Sequence, residues 1–202
     1  MTRTFARLFL ALACAMSMVA FACLAPVYAA SVVPLYLEEM IDTSAVAFEG
    51  TVTDNHSERD AATGFIVTYT TFAVHDVLKG DVGTSHTIKQ IGGALPAENV
   101  QYKVEGVPTF VAGHDYVVFL AGVSSAGFSS PIGLEQGRFH VKDESGVKHV
   151  TNGRDFRDMT RRMAANMPAH ARAEVEQSTD SVKELDLDDF KKTVRNHRGV
   201  AR

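Results

Sequence analysis

The segment of the sequence that comes closest to a catalytic motif is Gly122-Val-Ser124-Ser-Ala126. It nearly matches the G-x-S-x-G turn, which presents a nucleophilic serine after a buried strand, and it follows an apolar run. Ala126 replaces the second glycine, where backbone crowding requires the smallest residue, and no helical pattern follows. We therefore interpret the segment as a loop, assign no catalytic residue, and keep a serine-type hydrolase using Ser124 as an alternative hypothesis.

The histidines and glycines offer no recognisable ligand-binding pattern. Metal ligands must converge in space, but the eight histidines are scattered, with no His-x-x-x-His pair and no acidic loop of EF-hand spacing. His140 and His149 would face each other across a hairpin only if its register allowed it. Gly92-Gly93 lacks the Lys-Ser/Thr or the helix of a phosphate loop. The sequence predicts no metal and no cofactor.

One basic cluster lies on a predicted helix that also carries Phe156, Met159 and Met163 at helical spacing. Because Asp155 and Asp158 interleave with it, a solvated helix face is the simpler interpretation. The functional alternative is a contact surface for an acidic partner. On that hypothesis the candidate partner surface consists of Arg154, Arg157, Arg161 and Arg162.

The elements that must position these residues are mostly strands. Alternating or β-branched runs predict strands at 45–53, 65–78, 86–91 and 115–121, and a hairpin over 133–152. A parity shift between Val74 and Val77 predicts a bulge in the long strand. Residues 54–64 hold no apolar side chain larger than alanine, so they predict a solvated loop.

Helical patterns flank the strands. A short amphipathic helix is predicted over 34–41, a second helical pattern begins at Phe156, and a final helix begins with Asp186 as its N-cap. Residues 169–184 indicate a flexible linker or a frayed helix. This order predicts a mainly-β fold, a small OB-like barrel of five or six strands over 30–152, with a helical extension over 153–202.

Three strand segments together resemble the netrin-like module of tissue inhibitors of metalloproteinases, and small exported bacterial proteins of unassigned function. They are Ser44-Ala-Val-Ala-Phe-Glu-Gly-Thr-Val, Tyr69-Thr-Thr-Phe-Ala-Val-His-Asp-Val-Leu-Lys79-Gly80 and Gly113-His-Asp-Tyr-Val-Val-Phe-Leu. The resemblance covers about residues 35 to 121 and implies an OB-type barrel. In the inhibitors an N-terminal cysteine chelates the protease zinc, whereas the expected first residues of this chain are Ala30 and Ser31.

The first 29 residues have the pattern of a cleavable signal peptide. Arg3 and Arg7 precede an apolar run, Pro26 breaks it, and Val27-Tyr28-Ala29 is a small-residue cleavage site. Cleavage after Ala29 would remove both cysteines, leaving no disulfide framework. It would leave 18 basic against 24 acidic residues, a balance that argues against nucleic acid and anionic membranes as partners. We expect a periplasmic or extracellular protein that is free of the membrane after cleavage.

These observations predict an exported, non-catalytic binding module with a protein partner, a secreted protease or another envelope protein. Two alternatives belong to other classes. One is the hydrolase based on Ser124, and the other is an envelope structural protein held by an uncleaved signal helix.

Overall fold

A computed structural model describes residues 32–197 of the 202-residue chain. The predicted signal peptide lies outside the described residues, as do residues 198–202 of the predicted C-terminal extension. All elements below belong to the compact unit that begins at Pro34. Within the described range, no helix has the length and apolar character needed to cross a bilayer.

The fold is mainly β, with nine strands and four helices among the described residues. The strands are β1 (Val46–Arg59), β2 (Ile66–Lys79), β3 (Ser85–Ile91), β4 (Gly93–Leu95), β5 (Val100–Tyr102), β6 (Asp115–Leu120), β7 (Arg138–Glu144), β8 (Val147–Thr151) and β9 (Leu185–Asp186). The helices are α1 (Leu37–Thr43), α2 (Phe156–Met159), α3 (Ala169–Gln177) and α4 (Leu187–Asn196). Short 3₁₀ helices lie at Pro96–Glu98, Leu134–Gly137 and Ala164–Asn166.

Seven strands form one antiparallel sheet in the order β3-β2-β1-β6-β7-β8-β9, and β4 and β5 form a separate hairpin. In the part of the chain that the structure describes, no ladder joins β3 to β9, and no closed barrel is found. The predicted OB-like barrel of five or six strands is therefore replaced by an open sheet. The strand number differs because β4, β5 and β9 are too short to show an alternating pattern.

The largest local correction concerns residues 54–64, which were predicted to form a loop. β1 continues through Asp54 to Arg59 and pairs with β2 as far as Ile66, so most of the polar segment is strand. Its side chains are polar because this part of the hairpin does not bury an apolar face. The bulge predicted between Val74 and Val77 is confirmed, since Glu49 pairs with Asp76 and Gly50 with Val74.

A cluster of buried side chains covers each face of the sheet. One cluster joins the sheet to α1 and to the C-terminal helices, and includes Leu37, Met40, Ala47, Val117, Phe119, Phe139, Phe156, Met159 and Phe190. The other is formed largely by Phe48, Val52, Phe72, Ile88, Phe110, Tyr116, Val118 and Leu120. Residues 169–177 form α3, within the segment for which the sequence predicts a flexible linker or a frayed helix. The Ala171 and Val175 side chains of α3 are buried in the first cluster.

The Lys-Gly pair that ends β2 anchors α1 to the sheet. The ammonium of Lys79 donates to the carbonyls of Ile41, Asp42 (3.1 Å) and Ser44 (2.7 Å), where the helix ends with unpaired acceptors. Gly80 has φ +74°, and a Cβ there would lie 2.6 Å from the carbonyl oxygen of Ala45. The Leu-Lys-Gly ending, on which the netrin-like resemblance depends, thus has a structural role, because it attaches α1 to the sheet.

Candidate functional site

A pocket lies at one end of the second core cluster, where the apolar face of β1, β2 and β3 becomes polar. Asn55 pairs with Thr70, Ser57 with Thr68, and Thr68 with Gln90, so these side chains share one face of three neighbouring strands. The face is apolar where Phe48, Phe72 and Ile88 lie and amide- and hydroxyl-bearing beyond them. The strand continuation through 54–59 supplies the first wall of the site.

The hairpin of β4 and β5 covers this wall, and the Gly92-Gly93 pair lets it approach. Gly93 has φ +145°, and a Cβ there would collide with Ser57 Oγ and Thr68 Oγ1. The Ala94 amide lies 3.4 Å from Ser57 Oγ, which is 2.9 Å from Thr68 Oγ1, and Thr68 donates to the carbonyl of Gly92 over 2.7 Å. At this end of the pocket the hydroxyls therefore satisfy one another and the hairpin backbone.

Residues 107–110 form the opposite wall, and two side chains fix their backbone. Asn55 Nδ2 donates to the carbonyl of Phe110 over 2.6 Å, and the guanidinium of Arg138 donates to the carbonyl of Thr109. The Phe110 ring packs edge-on against Phe72 and Tyr116, with ring centroids 5.1 Å apart in each pair. This wall is therefore held rigidly against the sheet.

Among the described residues, two buried side-chain nitrogens have no hydrogen-bond partner, Gln90 Nε2 and Arg138 Nε, and Gln90 belongs to the pocket lining. Its side chain lines the pocket and is only 3% exposed, yet Nε2 has no hydrogen-bond partner in the structure. Thr70, on the adjacent strand, is 1% exposed, and its hydroxyl contacts Asn55 Oδ1 only at 3.4 Å. A buried amide without a partner costs about 1–3 kcal/mol, so such groups are rare unless something else completes them.

The residues that line the pocket carry little charge. The cavity measures about 470 Å³, and Lys103 and Tyr102 are the only titratable residues among those that line it. Both lie on the exposed β5 side. Ile91, Val104, Val107 and Pro108 supply an apolar part. The site can thus hold an uncharged group that combines apolar surface with a hydrogen-bond acceptor.

Two of the four arginines of the candidate partner surface bind backbone carbonyls. Arg154 Nη1 donates to the carbonyl of Leu35 (2.7 Å) and to Gln136 Oε1 (2.8 Å), and partial burial lowers the pKa of this guanidinium. Arg157 donates to the carbonyls of Val175 (3.2 Å), Ser178 and Asp180 (3.2 Å). Arg154 therefore joins the C-terminal segment to residues 35 and 136, and Arg157 joins α2 to the end of α3 and the residues that follow it.

The other two arginines enclose the ring of Tyr36. The guanidinium of Arg162 lies 3.8 Å from the ring centroid and pairs with Glu39 at 2.9 Å, and Arg161 donates to the Tyr36 hydroxyl. Both side chains are exposed. The structure thus divides the predicted cluster into two half-buried residues that bind backbone carbonyls and two exposed residues that contact Tyr36 at the start of α1.

The alternative catalytic and metal residues are not brought into reactive arrangements. The Ser124 hydroxyl accepts from the amide of Phe128 over 3.0 Å and closes a turn. His140 pairs with Thr151 and His149 with Lys142, so the two rings are not opposite each other. Over residues 32–197, no group of three or more His, Asp or Glu side chains could hold a metal ion.

Sequence reasoning missed the pocket because each of its residues is ordinary in isolation. Gln90 is the second-last residue of a predicted strand, Gly92-Gly93 lacks the features of a phosphate loop, and Asn55 and Ser57 lie in a segment predicted as a loop. One usable signal is that Gln90 lies two residues after Ile88 in the third strand. Side chains two residues apart share a face, so this spacing places an amide on the buried face of the strand.

Fold and site together define a mainly-β protein with a polar pocket at the end of one core, lined by a single charged residue, Lys103. No protein-family model, curated protein or solved structure matches the chain. The function must therefore be argued from the site itself.

Proposed function

We propose that the protein is a non-catalytic binding module that engages a protein partner through the Gln90 pocket. The observation that carries the proposal is the cavity of about 470 Å³ itself, whose walls combine apolar side chains with amides and hydroxyls, among them Gln90. Polar groups that converge on a partly apolar cavity are the usual composition of a binding site.

The lining of the pocket supports binding over catalysis. Its polar groups are amides and hydroxyls, and it contains no histidine, carboxylate or thiol to act as a general base or nucleophile. The rigid walls suit recognition, because a pre-formed site loses little freedom when it is filled. Ser124, the residue of the hydrolase hypothesis, is occupied in a turn instead.

That the partner is a protein, and that binding takes place outside the cytoplasm, are parts of the proposal that come from the sequence. The N-terminal pattern predicts export, and the acidic balance argues against nucleic acid. The netrin-like resemblance suggests a secreted protease or another envelope protein. It remains a prediction, since Lys79 and Gly80 account for its most specific residues without reference to any partner.

Site-specific photo-crosslinking in the exporting cells tests this function. Tyr102, 44% exposed at the pocket, is replaced by a photoreactive amino acid, and the matched control is Val147, 49% exposed on the β7–β8 hairpin. We expect a discrete protein adduct at position 102 and none at position 147. Adducts of equal yield at both positions, or none at either, would contradict the proposal.

Two further variants separate the pocket from the arginine surface. In the chain labelled at position 102, Gln90→Leu should abolish the adduct, because it removes an amide from the cavity lining at nearly constant volume. Arg162→Ala should leave the adduct unchanged, since Arg162 is an exposed residue that packs on Tyr36 and pairs with Glu39 and does not belong to the pocket lining. The reverse pattern would indicate that the partner binds the arginine surface and not the pocket.

A further inference from the structure

We propose that a second cavity binds a small divalent oxyanion, a sulfate or phosphate group, through Lys183 and His140. This cavity measures about 410 Å³ and lies beside β7, β8 and the residues that lead into β9, and we call it the β7 cavity. Its titratable residues are Glu135, Arg138, His140, Lys142, Lys183 and Glu184. It shares no lining residue with the Gln90 pocket, so the inference is independent of the proposed function.

Most of the charge in the β7 cavity is compensated within the fold. Arg138 pairs with Glu135 at 2.5 Å, and Lys142 pairs with Glu184. Lys183 differs from these two cations, because its side chain is exposed and forms no ion pair with any described residue. Since both carboxylates of the lining are already paired, Lys183 leaves the cavity with one uncompensated positive charge.

His140 supplies a second donor, and its ring is held in place. The ring packs against the buried Tyr116, with the two centroids 4.9 Å apart. Among the described residues, neither ring nitrogen of His140 has a hydrogen-bond partner, and neither is one of the buried nitrogens that lack a partner. Both nitrogens are therefore reached by solvent, and an imidazole N–H is free to donate to a ligand.

The electrostatic environment of His140 is positive. Burial lowers the pKa of His140, and the positive charges of Arg138, His114 and Lys142 lower it further, whereas no carboxylate raises it. The paired Glu135 and Glu184 therefore do not determine the field at the ring. Groups that repel an added positive charge attract a negative one. An anion between Lys183 and His140 would be stabilised by this field.

The charge of the ligand follows from the same two residues. Lys183 supplies one positive charge, and protonation of His140 supplies another. A sulfate or a doubly charged phosphate group matches both charges and has enough oxygens to accept hydrogen bonds from both donors, which are strengthened by the charges. A carboxylate carries a single charge. A cavity of about 410 Å³ also has room for a small molecule that carries the oxyanion.

The inference is tested by titrating the isotope-labelled chain with sodium sulfate, which is doubly charged at both pH 7.5 and pH 5.5. Sodium chloride keeps the ionic strength constant, and the amide NMR signals of Thr151 and Gly153 in the lining report binding. We expect saturable binding that is tighter at pH 5.5, because protonated His140 adds a positive charge. Acetate should bind more weakly. Glucose 6-sulfate distinguishes the sources: tighter binding than sulfate indicates a carried group, and equal or weaker binding a free anion.

Three variants assign the binding to its residues. Lys183→Gln should weaken sulfate binding about two- to fivefold, which corresponds to the energy of one exposed ion pair. Lys103→Gln removes another exposed lysine, outside the β7 cavity, and should leave the affinity unchanged. His140→Gln should reduce the pH dependence, and circular dichroism shows whether this variant is folded.

Four outcomes would overturn the inference. They are the absence of saturable shifts, equal weakening by the two lysine variants, acetate binding as tight as that of sulfate, and a pH dependence that a folded His140→Gln chain retains in full. Because Lys183 is exposed, its variant tests the site even if His140→Gln does not fold. The position 102 adduct, which tests the proposed function, should form equally in the Lys183→Gln chain.

Discussion

The two faces of the central sheet are completed in different ways. On the helix-covered face, α1 and the C-terminal helices close the core, and buried charge is paired: Lys191 lies 2.9 Å from Glu49 and 3.3 Å from Asp76. Burial lowers the pKa of Lys191, but these two carboxylates outweigh it and raise the pKa overall. On the pocket face, an aromatic core passes into amides and hydroxyls, and Gln90 is left without a partner.

This difference separates stability from recognition. The helix-covered face places its polar groups where they fasten segments together, as Arg154, Arg157 and Lys79 do. On the pocket face, by contrast, the buried amide nitrogen of Gln90 bonds to no other segment. A change at a bonded polar group of the first face should therefore alter unfolding, and a change at Gln90 should alter binding.

The largest expected effect is the loss of the ring at the centre of the helix-covered core. Phe190 lies 4.9 Å from Phe139, 6.0 Å from Phe156 and 6.2 Å from Phe119, measured between ring centroids. Phe190→Ala should lower the free energy of unfolding by about 3–5 kcal/mol, because it removes buried surface and leaves a cavity. Urea unfolding measures this. The exposed Phe65→Ala is the control, and an equal loss there would remove the distinction between core and surface.

The next effect concerns the attachment of α1. Lys79→Met keeps much of the side-chain volume but removes the ammonium that donates to the carbonyls of Ile41, Asp42 and Ser44. We expect a loss of about 1–3 kcal/mol in unfolding free energy, as for a hydrogen-bonded charge at a helix C-terminus. Lys183→Met, at an exposed position, should change it by less than about 0.5 kcal/mol. If the two variants match, Lys79 does not anchor the helix.

The sequence predicted well what depends on local pattern. Asp186 is the N-cap of α4, with Oδ1 accepting from the amides of Asp188 (2.9 Å) and Asp189 (3.0 Å). The β7–β8 hairpin and the bulge in β2 also follow from residue types over a short span. These features need only neighbours in sequence, and are therefore predictable.

What the sequence could not predict depends on partners far along the chain. The extension of β1 to Arg59 needs β2 beside it, because its polar residues have little strand propensity of their own. Arg154 lies against Leu35, more than a hundred residues away in sequence. Gln90 becomes a candidate site residue only when Asn55 and Gly93 are placed around it. These contacts between distant residues produce no periodic pattern in the sequence.

Between pH 7 and pH 5.5, part of the effect of acid on stability should come from two half-buried histidines at the aromatic core on the pocket face. His86 lies 5.4 Å from Phe48 and His140 lies 4.9 Å from Tyr116, between ring centroids. Burial lowers the pKa of both, and Arg138 lowers that of His140 further. The unfolded chain therefore binds protons first as the pH falls below about 6.5, and the free energy of unfolding falls with it.

Urea unfolding at pH 7 and pH 5.5 measures this loss. His86→Phe should reduce the loss, because it removes one of the two half-buried imidazoles. A pH dependence that is the same in the native chain and the His86 variant would exclude His86 as its source.

The smallest change in stability is expected for a substitution of Gln90, and this variant best tests whether the two faces differ in function. Gln90→Leu replaces an amide lacking one hydrogen-bond partner with an apolar group of similar size, so its unfolding free energy should rise or stay within about 1 kcal/mol of the native value. Asn55→Leu is the matched control, because Asn55 Nδ2 donates to the Phe110 carbonyl over 2.6 Å and its loss should destabilise the chain by about 1–3 kcal/mol. If Gln90→Leu destabilises the chain as much as Asn55→Leu, then Gln90 holds the fold together. An equal or greater stability combined with a lost position 102 adduct would mean that the residue is kept for its ligand.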